Sequence, residues 1–253
     1  MSFRQRLLST YGRIARTYWS WAPAILLLAV VIFVPLGLID ALAAEVSVES
    51  LDLSSGIKVA AAVAAVGAIT ATGLLGEVFF SGAVAVSLTH PEQGQAPPLR
   101  EIAGRLRYGR LIVVDVLYVA IVAVGLLLAV VPGVLAFVWL GLAGPAVELE
   151  ERTVRGALVR SWRLVRGNFR LVFMVLVPIE IAGDAIGDAV AGLVHGALGH
   201  NLLASWLAES LSNIVLSPIF AIAAVLLTID LIRAADSEGP SLNSALSRNT
   251  LPV

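Results

Sequence analysis

Glu77, Asp115, Glu180, Asp184, Asp188 and Asp230 are acids set inside stretches otherwise built of Leu, Ile, Val, Ala and Gly. A charge in hydrocarbon costs at least about 2.5–3.5 kcal/mol, so each such acid is a candidate for proton or ion chemistry. Their expected depths differ. Asp115 closely follows Arg110 and Asp230 closely precedes Arg233, so both are expected to reach water or an arginine at the inner interface. Asp188 approaches the outer one. Counting residues puts Glu77 and Glu180 near mid-membrane, where no Lys, Arg or His shares their depth. Each is then protonated, hydrogen-bonded to another helix or open to a water-filled cavity. Glu180, Asp184 and Asp188 recur at i, i+4, i+8 and so line one helical stripe. Glu77, Glu180 and Asp184 form the candidate ion or proton path. Gly183 and Gly187 on the same helix have the spacing that lets helices pack closely, and Pro178 is expected to kink it and free a carbonyl in the preceding turn.

The second constellation is basic. From Thr153 to Arg170 a helical step of about 100° per residue gathers Val154, Leu158, Ser161, Trp162, Val165 and Phe169 on one face. Arg152, Arg155, Arg160, Arg163, Arg166 and Arg170 gather on the other. Such a helix lies at a membrane interface, where each guanidinium near an anionic leaflet is worth about 1 kcal/mol. Arg155, Arg160, Arg163, Arg166 and Trp162 are the candidate lipid head-group residues.

The elements that position these groups follow from composition. The chain has 253 residues, 58% of them hydrophobic and 14% charged, against about 25% charged in soluble domains. A span needs about 20 apolar residues. Ala22–Ala43, Val59–Leu88, Leu111–Val131, Leu171–Val194 and Ile214–Ile232 meet that length. Val134–Val147 is shorter and follows the breaker Pro132-Gly133, so it reads as a sixth crossing or as a re-entrant dip. The charge pattern favours a crossing. Of 17 basic residues all but Lys58 fall before Ala22, between Thr89 and Arg110, between Glu148 and Arg170, or after Ile232. Short Arg-rich loops stay cytoplasmic, which requires an even number of crossings between successive basic segments.

The expected fold is thus all-α, a polytopic bundle of six membrane helices in three hairpins. Phe3–Ser20, Leu99–Arg110 and Thr153–Arg170 are expected to be basic amphipathic helices lying on the cytoplasmic interface. Residues 1–235 form the single membrane domain and 236–253 a mobile cytoplasmic tail, with both termini in the cytoplasm of a multi-pass cell-membrane protein. The first apolar run, about twenty residues, exceeds the 7–15 of a signal-peptide core and reads as a retained span.

The stretch Pro145-Ala-Val-Glu148-Leu-Glu150, followed by Ala157-Leu-Val-Arg160-Ser161-Trp162-Arg163-Leu164-Val165-Arg166-Gly167-Asn168-Phe169, resembles the signature of a group of bacterial and archaeal membrane proteins. That group is related to the integral-membrane domain of some glycerophosphoryl diester phosphodiesterases. The similarity covers mainly Val131 to Val177. It implies a helical membrane domain with Glu148, Arg160, Ser161 and Gly167 at motif positions. It does not carry phosphodiesterase activity over, because that chemistry sits in a separate soluble barrel of about 250 residues.

The residues also argue against catalysis. There is no cysteine, no histidine close to Ser161 to activate it, and Arg160 cannot act as a base at neutral pH. His195 and His200, spaced poorly for one helical face, read as interfacial; no metal or other cofactor is expected. The expected partners are lipids of an anionic inner leaflet and not nucleic acid, with self-association or another membrane protein left open. The function read from these features is a non-enzymatic integral membrane protein of the phosphodiesterase-membrane-domain type that engages anionic head groups in envelope or lipid-related biology. The alternative is a small proton- or cation-coupled transporter or channel using the intramembrane acids.

Overall fold

The computed structural model describes residues 2–44, 76–91 and 97–248. All regular structure among them is helical: α1 (Phe3–Ala44), α2 (Glu77–Thr89), α3 (Leu99–Arg105), α4 (Tyr108–Leu128), α5 (Val130–Leu140), α6 (Ala143–Leu149), α7 (Val154–Arg166), α8 (Phe169–Leu198) and α9 (Leu202–Arg248). Four segments are long and apolar enough to cross a membrane: Phe3–Leu38, Tyr108–Leu128, Val130–Leu149 and Leu202–Ser237. Their outward faces are apolar too. Leu27, Val30 and Val31 on α1 and Ile112, Val113, Val116, Ile121 and Val124 on α4 are all exposed. Continuous exposed apolar surface of this kind is foreign to soluble monomers and natural in lipid, so the chain is a helical membrane protein.

Several boundaries differ from those the residues suggested. The expected second span is described only from Gly76 onward, and residues 59–75 lie outside the described part. α2, with 13 residues, rises about 20 Å, less than a bilayer core. The reversal expected at Pro132-Gly133 occurs earlier, at Ala129, whose backbone is extended between α4 and α5. Pro132 therefore falls in the first turn of α5, where a missing N–H costs nothing. With α6 continuing it, the segment is 20 residues long. Gly125 and Gly133 make the tight α4–α5 hairpin possible, since a Cβ on Gly125 would lie 2.8 Å from the Gly133 Cα.

Phe3–Ser20 is not a separate interfacial helix. α1 runs through it for 42 residues, past Pro23 at the start of the expected span, with α9 supporting it along much of its length. Arg13 pairs with Asp230, and near the other end the Trp206 indole N–H donates to the Val34 carbonyl at 2.9 Å. Asp230 does find an arginine, one from across the bundle rather than its neighbour Arg233. α9 likewise continues as helix to Arg248, into the segment expected as a mobile tail, since extending a formed helix needs no new nucleus.

Pro178 in α8 cannot donate to the Met174 carbonyl four residues before it. The Tyr11 hydroxyl of α1 donates to that carbonyl instead, at 2.7 Å. The bundle centre is aromatic, with Phe33 against Phe80 at 5.2 Å, Tyr118 against Phe137 at 6.3 Å and Phe137 against Phe220 at 5.6 Å. α2 reaches this centre by close backbone approach: a Cβ on Gly144 of α6 would collide with the Val78 carbonyl. The Gly183–Gly187 spacing contributes little, since Gly183 faces open space and only Gly187 comes near Ser212.

Candidate functional site

The intramembrane acids are organised by the start of α2. Gly76 adopts a positive φ of 93°, a left-handed conformation that glycine alone enters without strain; a Cβ there would also strike Leu36. The chain thus enters α2 inside the bundle, where the first N–H groups of a helix have no intrahelical acceptor and no water to turn to. Asp115 of α4 supplies the acceptors. Its carboxylate takes hydrogen bonds from the N–H groups of Gly76 at 2.7 Å, Val78 at 3.0 Å and Phe79 at 3.3 Å. Asp115 is 4% exposed, so the expectation that it reaches water or an arginine is corrected. It acts as a helix cap delivered from another helix.

Beside this cap stand side chains with no such compensation. Glu77, the first residue of α2, is 6% exposed, and Tyr118, one turn beyond Asp115 on α4, is fully buried. Glu77 Oε2 and the Tyr118 hydroxyl have no hydrogen-bond partner among the described residues. Glu180 of α8 is half-buried. Glu180, Asp115 and Asp184 lie within electrostatic reach of Glu77, and Glu77, Glu180 and Asp115 within reach of Tyr118. From Glu180 the α8 stripe passes to exposed Asp184 and Asp188, with Glu209 of α9 near Asp188 and His195. The His195 and His200 rings stack at 4.8 Å across the α8–α9 turn. No group of acids and histidines among the described residues has the geometry of a metal site. The residues alone pointed to Glu77, Glu180 and Asp184 but missed Tyr118 and the capping role of Asp115. The available signal was a glycine directly before Glu77 in mid-span, marking a helix start there.

The basic end is built differently. α7 opens with Thr153, whose hydroxyl accepts from the Gly156 N–H at 3.2 Å. It buries Ala157, Ser161, Leu164 and Val165. Ser161 donates to the Trp139 carbonyl at 2.7 Å, filling an acceptor left open in the last turn of α5. Glu148, nearly buried, accepts from the Arg107 N–H at 2.9 Å and faces its guanidinium at 3.4 Å. Glu151 takes a φ of 55°, which costs roughly 1–2 kcal/mol. Arg107 offsets this by pairing with its carboxylate at 2.7 Å, and Arg110 by donating to its carbonyl at 3.1 Å.

Arg160 is not free for head groups. Its Nε and Nη2 donate to Glu150 at 2.8 and 2.7 Å, and Arg152 adds a contact at 3.2 Å. Burial pushes the Glu150 carboxyl up, but hydrogen bonds from Arg160 and Arg152 outweigh it and hold it below the ordinary glutamate range. Gly167 ends α7 in a right-handed conformation with open space around it, so nothing in its geometry requires glycine.

Arg155, Arg163 and Arg166 remain exposed, and Arg166 lies over the Trp162 ring at 5.2 Å. Next to them runs an apolar groove of about 530 Å³, lined by Ile121, Val131, Leu135, Trp139, Leu158 and Trp162 among others. Arg155 precedes the lining residue Leu158 by one turn of α7, and Arg166 follows Trp162 by one. No protein-family model, curated protein or solved structure matches this chain.

Proposed function

We propose that this protein is a non-enzymatic six-helix membrane protein that holds an anionic lipid at its cytoplasmic face. The phosphate sits on Arg155, Arg163 and Arg166, and an acyl chain lies in the groove beneath Trp162. The observation that carries this reading is the union of an apolar groove with three exposed guanidiniums along one helix that form no ion pair among the described residues. Either half alone is ordinary; together they match both ends of one ligand. Arg160 is left out because Glu150 already neutralises it. In this reading α2 completes a span begun before Gly76, α8 forms the fifth crossing, and both termini are cytoplasmic. The arginine distribution supports that layout, and the likeness to the phosphodiesterase membrane domain, which itself lacks the catalytic barrel, agrees with a lipid-related role.

The test is native mass spectrometry of the purified protein titrated with phosphatidylglycerol and, separately, phosphatidylcholine. The expected result is preferential retention of the anionic lipid, lost when Arg155, Arg163 and Arg166 are changed to Gln and weakened when Ala136→Trp fills the groove. Equal retention of both lipids by wild type, or unchanged retention by the arginine variant at low salt, defeats the reading.

A further inference from the structure

The unpartnered groups around the start of α2 lie apart from the arginine groove. Glu77 and Tyr118 are both more than nine-tenths buried, and each leaves an oxygen without a hydrogen-bond partner among the described residues. Native interiors seldom leave such groups unsatisfied, and where they do a functional role is a leading explanation. The neighbour that could have relieved them, Asp115, already commits its carboxylate to three N–H donors. Among the described residues the charged or titratable groups acting on Glu77 are Asp115 of α4 and Glu180 and Asp184 of α8, and Glu77 in turn acts on Tyr118 of α4. None of these is basic; α1, α3, α6 and α9 also pack on α2, and no basic residue among the described ones, Arg100 and Arg105 of α3 included, forms an ion pair with Glu77, Arg105 being paired with Glu101. Nor do the acids form a metal-binding group among the described residues. A proton is the cation that such an acidic, hydroxyl-bearing site can take without a coordination shell.

We propose that Glu77 and Glu180, with the Tyr118 hydroxyl, form an intramembrane proton-binding site, reached from the α8–α9 end along Asp184, Asp188 and Glu209. Protonation converts one carboxylate into a neutral carboxyl, and the Tyr118 hydroxyl, unpartnered among the described residues, is the donor free to turn toward it. On release the proton passes to Asp184, one turn along α8. Asp115 is the positioning residue: by pinning the start of α2 it holds Glu77 in place without exchanging a proton itself. This is independent of lipid binding, and failure of either leaves the other standing.

The experiment is infrared difference spectroscopy of the full chain in lipid nanodiscs, stepped between mildly acidic and mildly alkaline pH. The expected spectrum contains a carboxyl C=O band that appears on acidification and disappears in Glu180→Gln. Glu77→Gln should remove it too. If that variant does not fold, Tyr118→Phe, which keeps the ring packing, serves instead and should shift the band by removing a hydrogen bond. Asp184→Asn should leave the band but slow its appearance after a pH jump. A spectrum with no pH-dependent carboxyl band, or a band unchanged in Glu180→Gln and Tyr118→Phe, overturns the site. A band that responds to sodium or potassium at constant pH makes it a metal-cation site and overturns the proton assignment. An unaltered rate in Asp184→Asn overturns the route.

Discussion

Glu150 and Glu77 are both glutamates at helix boundaries, one just past the end of α6 and the other opening α2. Glu150 lies between Arg160 and Arg152; the titratable groups acting on Glu77 among the described residues are all acids. Asp115 stands between these extremes, matched by backbone N–H groups rather than by a cation. Where water is near, side-chain counter-ions are tolerated because a misplaced arginine is still solvated. Deep in the bundle a counter-ion would itself need burying, so backbone dipoles take its place. The protein thus neutralises acids by guanidinium at one end and by a helix start in the middle, and leaves the buried Glu77 unmatched among the described residues.

Substitutions that exchange these modes test the contrast. The largest effect is expected at Asp115. Asp115→Ala strands three N–H groups, two of them buried, at roughly 1–3 kcal/mol for each buried one, enough to abolish a folded monodisperse peak in thermal-shift size-exclusion chromatography. Asp115→Asn, which keeps one acceptor oxygen, should lose less; if the two variants are equally stable, the cap contributes nothing. Next comes Gly76→Ala, where strain at positive φ adds to the collision with Leu36; a loss of about 2 kcal/mol is expected, and wild-type stability would show that α2 need not start there.

A smaller effect separates a tyrosine from a proline. Tyr11→Phe leaves the Met174 carbonyl without its donor and should cost about 1 kcal/mol. In a Pro178→Ala background, where the substituted residue regains a backbone N–H to donate to that carbonyl, the penalty should shrink. Additive losses in the double-mutant cycle would refute the exchange. Smallest is Glu150→Gln, expected to cost about 1 kcal/mol or less at neutral pH. Because Glu150 is held below its ordinary range, its contribution is present above the unfolded-state value of about 4.3 and is lost as pH falls through the lower folded-state value. Wild type and variant should therefore converge in stability in acid; a gap that stays constant would show that the Arg160 pairing is not the cause.

The arginine helix was legible in the residues as an amphipathic segment, because amphipathic periodicity is a local property. It ends at Arg166, however, and its buried face, Ala157, Ser161, Leu164 and Val165, is turned from the expected one, with Trp162 exposed. Which of its arginines remain free was not legible. Arg160 and Arg163 look alike in sequence, and only the turn at Glu151 brings Glu150 back to one of them. Likewise Glu77 and Glu180 stood out as deep acids, whereas Tyr118 read as one more aromatic in an apolar span.

What the amino-acid order settled by itself was the solvent of this protein and its helical class. The bilayer forces long apolar helices, and those leave a one-dimensional trace in hydropathy and in arginine spacing. The tertiary structure alone decided where helices begin inside the bundle and which partner each polar group meets. Gly76 and Asp115 are separated by 39 positions and Arg13 and Asp230 by 217. No local pattern encodes such pairings; they follow from the hydrogen-bond demands of backbone and side chains that hydrocarbon cannot satisfy.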